Sequence, residues 1–216
     1  MRHYADRGNQ PKQPTKQPTK QPTKSCSVPA MAMFFSDEEM RVITAACAIL
    51  IPADEDPGAV EAGVPDYIDG FLGAFSFDPP RIWAGGATSG RFGGRPGFAS
   101  FHRLTAIDEL AWRTRIEGSL GRPEREWNGP VVGLQELYRD GLVALGPDFA
   151  DVDSTEQERR LRANREFTGL LYDHVCQGMY GAPEYGGNRD LVGWRYIDFA
   201  GDVQPRGYSD EEVSQP

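Results

Sequence analysis

The sequence predicts an all-α fold: several short-to-medium helices with long Gly/Pro-rich connections and an ordered non-helical C-terminal segment. Three observations carry this. Apolar residues recur at helical spacing in several stretches. Two of those stretches open on a Ser-x-x-Glu/Gln capping box. The chain has 25 glycines and 17 prolines in 216 residues, and strand-like alternation is scarce.

The order of elements follows from these signals. Gln-Pro-Thr-Lys recurs three times between Gln13 and Lys24, and proline at every fourth position blocks helix and ladder bonding. Residues 1–33 are therefore expected to be a disordered tail. Ser36 and Glu39 form the first capping box, with Phe35 and Met40 placed as a staple across it. Met40, Ile43, Cys47 and Leu50 continue one face, and Pro52 closes a helix over 37–50. Pro65 suits the first turn of a second helix, whose face runs from Val64 through Tyr67, Ile68, Phe71 and Leu72 to Phe75 and ends at Asp78-Pro79-Pro80. Residues 84–97 contain six glycines and read as a loop. A short helix follows from Thr105, with Leu104, Ile107, Leu110 and Ala111 inward. Another spans Val131 to Leu145 through Leu134, Leu137 and Tyr138. The last helix opens on a Ser154–Gln157 capping box and runs through Leu161, Phe167, Leu171, His174 and Met179 to a stop at Gly178 or Gly181. Residues 181–208 lack helical period. A single helical domain is expected over 34–210, with 211–216 a flexible C-terminus.

The formal net charge of −9 is uneven. All four lysines lie in the first 24 residues, and the first 35 residues carry +5, leaving −14 on the remainder. An acidic body repels phosphate backbones, which excludes nucleic-acid binding by the folded part. No apolar run approaches the roughly 18 residues that span a membrane. No apolar segment follows the basic start, so a cytoplasmic location is expected. Cys26, Cys47 and Cys176 fit neither a disulfide framework nor a metal motif, and are expected to be free thiols.

Candidate chemistry is thin. Gly85 and Gly90 have phosphate-loop separation, but Arg91-Phe92 stands where Lys-Ser/Thr is needed. Asp151, Asp153 and Glu158 lack the glycine and alternation of a calcium loop, and fit better as helix N-terminal acids. Asp173, His174 and Cys176 are the nearest approach to a catalytic cluster. His174 and Cys176 project to different faces, and His174 lies on the inward stripe. A hydrogen-bonded core histidine is the stronger reading there, and also at His102.

Two stretches are distinctive. One is Ile49-Leu50-Ile51-Pro52 followed by Gly58 through Asp69. The other is Tyr185-Gly186-Gly187-Asn188-Arg189 running to Gly193-Trp194, then Phe199-Ala200-Gly201 and Gly207-Tyr208. In order and separation they resemble the gluconate 2-dehydrogenase subunit 3 family over roughly 34–210. The resemblance implies a non-catalytic small subunit with no cofactor of its own. It would pair with a large glucose-methanol-choline (GMC) type flavoprotein that holds FAD and oxidises sugars or polyols, sometimes with a cytochrome subunit. It would support that partner's maturation and stability. A free-standing enzyme using His174 and Asp173, and a homo-oligomeric interaction module, are the alternatives to this accessory role. Many members carry a twin-arginine export signal; this chain offers the Gln-Pro-Thr-Lys tail instead, and periplasmic location through partner-assisted export is the alternative to the cytoplasm. Tyr185, Gly186, Gly187, Asn188, Arg189, Trp194 and Tyr208 are the candidate partner-binding residues. Successive left-handed turns at Gly186-Gly187-Asn188 would set Tyr185 and Trp194 on one side. There the two rings either cap the chain's own core or anchor an interface.

Overall fold

The computed structural model describes residues 34–82 and 104–199, and these are all-helical, with seven α-helices and no strand among them. The Gln-Pro-Thr-Lys tail, the glycine-rich loop, Cys26, His102 and Tyr208 lie outside the described residues.

Helix α1 (Asp37–Leu50) begins at the expected capping box, with the Ser36 side chain accepting from the Glu39 amide and the Glu39 side chain accepting from the Ser36 amide. Asp69, buried on α2 (Val64–Leu72), accepts from the amides of Phe34 and Phe35, both at 2.8 Å. The chain leading into α1 is thus fixed to the second helix. Helix α2 stops at Leu72 and not near Asp78. Gly73 turns its amide onto the Asp69 and Phe71 carbonyls, and a single 3₁₀ turn, Ala74–Ser76, carries Phe75 onward.

Helix α3 (Ala106–Glu117) has a capping box from Thr105 and Asp108 that the sequence pattern did not single out. Its inward face also differs from the expected one. Ile107 is 79% exposed, and Ala111 is exposed too, whereas Trp112 and Ile116, four residues apart, face the core. Helix α4 (Leu134–Leu145) starts three residues later than expected. The Val131 carbonyl instead accepts from the Ser119 amide, closing a loop, and Val131 and Val132 remain half-exposed. Leu137 faces outward, and Leu134, Tyr138, Leu142 and Leu145 form the inner stripe.

The single late helix proves to be two, α5 (Ser154–Ala163) and α6 (Arg165–Tyr180). Asn164 breaks them, with non-helical φ −107° and ψ 57°, and its side-chain NH₂ donates to the Arg160 carbonyl at 3.0 Å. The N-cap of α5 is Asp153, one residue before the expected Ser154. Helix α6 ends at Gly181, as one of the two expected stops. The segment after it, expected to lack helix, holds two 3₁₀ turns (Pro183–Tyr185 and Arg189–Leu191) and a five-residue helix, α7 (Val192–Tyr196).

Helix α6 is the hub. It packs against α1, α2, α4, α5 and α7, and α1 closes the other side against α4 and α5. The core between them is a continuous set of fully buried side chains, among them Ile43, Ile68, Tyr138, Phe149, Leu171 and Val175. No helix is long and apolar enough to cross a membrane among the described residues.

Candidate functional site

The last turn of a helix leaves carbonyls without intrahelical partners. At the end of α6 the Tyr-Gly-Gly-Asn…Gly-Trp signature supplies those partners. The Asn188 amide donates to the Gly178 carbonyl at 2.7 Å, the Asn188 side-chain NH₂ to the Gly181 carbonyl at 2.9 Å, and the Trp194 indole N–H to the Tyr180 carbonyl at 2.7 Å. The Asn188 side-chain oxygen accepts from the Gly193 amide at 2.9 Å, tying α7 into the same knot. Asn188 is fully buried, so each of these bonds matters. Two glycines permit the approach. A Cβ on Gly187 would lie 2.2 Å from the Gly178 carbonyl oxygen, and one on Gly193 would lie 1.9 Å from that of Met179. Left-handed backbone occurs at Gly186 and Asn188, and then at Asp190 and Leu191; Gly187 is not among the positive-φ residues.

Arg189 extends the knot to the first distinctive stretch. Its amide donates to the Ala62 carbonyl at 2.9 Å, and its guanidinium pairs with Asp66 at 2.8 Å over the left-handed Gly63. The two sequence stretches therefore meet in space.

Of the nominated partner-binding residues, Gly187, Asn188 and Trp194 are buried, Trp194 being 6% exposed. Tyr185 is half-buried, and Gly186 and Arg189 reach the surface. Tyr185 and Trp194 have different surroundings: the Trp194 indole caps the end of α6, while Tyr185 lines a cavity of about 250 Å³ with Tyr67, Phe71, Trp112, Arg115 and Gln177. Sequence reading missed this cavity because its walls come from α2, α3, α6 and the 183–185 turn. Also missed was an exposed ridge. Tyr196, Ile197 and Phe199 are 60, 51 and 49% exposed, with Phe199 edge-on to Trp194 at 4.9 Å. Tyr172, Cys176 and Tyr180 run along α6 at four-residue spacing toward Tyr196, and Tyr172 is 48% exposed.

His174 is a core histidine. It is 2% exposed, and its Nδ1 lies 2.7 Å from the Tyr138 hydroxyl. Burial, with the positive charge of Arg115, lowers its pKa to about 4, against an opposing pull from Asp173. Burial pushes the Cys47 thiol up to about 12. Cys47 and Cys176 are both free thiols. The acids weighed as a calcium loop are engaged elsewhere: Asp151 with Arg41, Glu158 with Arg162, and Asp153 as the α5 cap. No cluster of His, Cys, Asp or Glu suited to a metal occurs among the described residues.

Fold and site together define a class: a small all-helical domain whose last described segment is clamped across its central helix, with a hydrophobic ridge beside the clamp. A family model described as Gluconate 2-dehydrogenase subunit 3 matches residues 37–201. The match covers well over half of the chain, and the chain belongs to that family, whose description is that of a dehydrogenase subunit. Comparison with curated proteins and with solved structures found no match.

Proposed function

We propose that this chain is a non-catalytic small subunit that docks onto a larger FAD-holding flavoprotein of the glucose-methanol-choline type and stabilises its folded, flavin-loaded form. The observation that carries the reading is the ridge of Tyr196, Ile197 and Phe199, exposed beside a segment that is itself rigidly fastened. Aromatic and aliphatic side chains held on a stiff support lose little entropy on binding and make good interface anchors. In this reading the Gly-Asn-Trp signature builds the support, and the ridge with Tyr185 and Arg189 makes the contact. The partner gains stability by mass action, because only its folded form binds. The sugar- or polyol-oxidising chemistry and the FAD belong to the partner.

The test is co-expression with a GMC-type flavoprotein from the same cells. The pair should co-elute and carry more FAD per flavoprotein than the large chain made alone. A Tyr196→Ala/Ile197→Ala variant should retain its own melting temperature within a few degrees yet lose co-elution. Equal flavin content and equal turnover with and without this chain, and no co-elution, would refute the proposal.

A further inference from the structure

We propose that the cavity between α2, α3, α6 and the 183–185 turn is a binding site for a small, flat aromatic carboxylate. This goes beyond the subunit reading and does not depend on it. The cavity of about 250 Å³ equals roughly eight waters at about 30 Å³ each. That admits one ring with a short side chain. Its walls suit a ring. Tyr67 and Phe71 lie nearly parallel, 5° apart with centroids at 6.3 Å, and Trp112 meets Phe71 edge-on at 6.2 Å. Such faces and edges favour an aromatic guest in offset or T-shaped contact.

The charge at the mouth selects an anion. Arg113 and Arg115 are near neighbours on α3 but differ in their partners. Arg113 is held by Glu109 and Glu117, each at 2.7 Å. Arg115 lines the cavity with no ion pair among the described residues, its guanidinium 5.7 Å from the centre of the Trp112 ring. Its charge reaches the cavity wall, opposing the upward shift that burial imposes on Tyr67. Asp66, the acid in the lining, is already paired with Arg189 at 2.8 Å. Arg81, the second cation of the lining, lies over the Phe77 ring at 3.7 Å, also without an ion pair among the described residues. The mouth is thus positive on an otherwise acidic body. A guanidinium beside apolar walls favours a planar carboxylate, which it can hold through two N–H donors. The Tyr67 hydroxyl donates to the Gln177 side-chain oxygen at 3.2 Å, which turns the Gln177 NH₂ toward other acceptors.

Calorimetric titration of the full chain tests this, with 3-phenylpropionate as probe and the neutral 3-phenylpropionamide as its isostere. The acid should bind at one site with a Kd below about 1 mM, and the amide at least roughly tenfold more weakly. Arg115→Gln should weaken the acid by about tenfold or more and leave the amide unchanged. Arg162→Gln, which removes the same charge where it pairs with Glu158 on α5, should change neither. Trp112→Leu should weaken both probes. Arg115 is exposed, so its variant is expected to keep the wild-type melting curve, and the acid–amide comparison stands even if the Trp112 variant fails to fold. No saturable binding of the acid, equal binding of acid and amide, or an equal loss in Arg162→Gln would overturn the proposal.

Discussion

The start of α1 and the end of α6 present the same physical problem, backbone groups left without helical partners, and they meet it by different means. At α1, Ser36 and Glu39 satisfy each other's amides from three residues apart. At α6, the carbonyls of Gly178, Tyr180 and Gly181 receive donors from Asn188 and Trp194, which lie beyond the helix on a segment that has folded back. The local cap is a modular device on an exposed surface. The distant clamp is part of the core, because it works only when two backbones touch at Gly187 and Gly193. Losing the first should fray a turn; losing the second should detach α7 and the ridge with it.

The largest expected effect comes from breaking that backbone contact. In Gly193→Ala the new Cβ would sit 1.9 Å from the Met179 carbonyl oxygen, which belongs to the central helix and cannot step aside. Helix propensity alone would favour alanine by about 1 kcal/mol, so the sign of the result is diagnostic. A loss of about 3 kcal/mol is expected, seen as a fall in melting temperature of roughly 6–12 °C. A neutral or raised melting temperature would show that α7 does not press on α6.

This contrast also explains what was legible in the sequence. The α1 cap could be read because its partners are three residues apart and chemically distinctive. The signature's glycines could be seen, but not their contact, because nothing local says that Gly193 meets Met179. The break at Asn164 leaves a faint mark in the sequence, because Leu161 and Phe167 are six residues apart and a six-residue step does not keep one helical face; two apolar residues alone do not place the break, and the non-helical backbone at Asn164 does. Ile107 was assigned inward because it is apolar, but Trp112 and Ile116 occupy the face that packs. The cavity was invisible for the same reason as the clamp. Tyr67 and Phe71 were assigned to the inward face of α2, and nothing local joins them to Arg115 until α2, α3 and α6 come together.

Acid should separate the core around α6 from the cap of α1. His174 on α6 has its pKa lowered from 6.5 to about 4, chiefly by burial. As pH falls below 6.5 the unfolded chain takes up this proton first and the folded chain does not. The unfolded state therefore binds more protons between pH 6.5 and 4, and stability falls with pH across that window. The loss from this group approaches about 3 kcal/mol at the lower end. At the α1 cap, burial opposes ionisation of Glu39, but hydrogen bonds from Arg139 and Ser36 outweigh it and hold the carboxyl below its ordinary 4.5. That contribution is complete above pH 4.5 and is lost only in stronger acid. Urea unfolding at pH 7, 5.5 and 4.5 should show the decline, and His174→Gln should flatten it whatever its stability at pH 7. An unchanged slope in the variant would assign the decline to other groups.

The smallest effect belongs to the local cap. Ser36→Ala removes the acceptor for the Glu39 amide, a bond of 3.3 Å on an exposed surface. N-cap replacements of this kind cost about 1 kcal/mol. Here the loss should lie at or below that figure, because the start of α1 has other fastenings. Glu39 still accepts from the Ser36 amide, which the substitution leaves in place. Arg139 on α4 still pairs with Glu39, donates to the Phe34 carbonyl at 3.0 Å and lies over the Phe34 ring at 4.4 Å. Asp69 still holds the amides of Phe34 and Phe35. Ser36→Asp, which keeps an acceptor and adds charge favourable at a helix N-terminus, should match wild type. Amide exchange should speed up in the first turn of α1 in the alanine variant and remain unchanged at the end of α6. A loss above about 2 kcal/mol, or faster exchange spreading to α6, would show that this cap is coupled to the core as tightly as the clamp is, and would remove the distinction between the two helix ends.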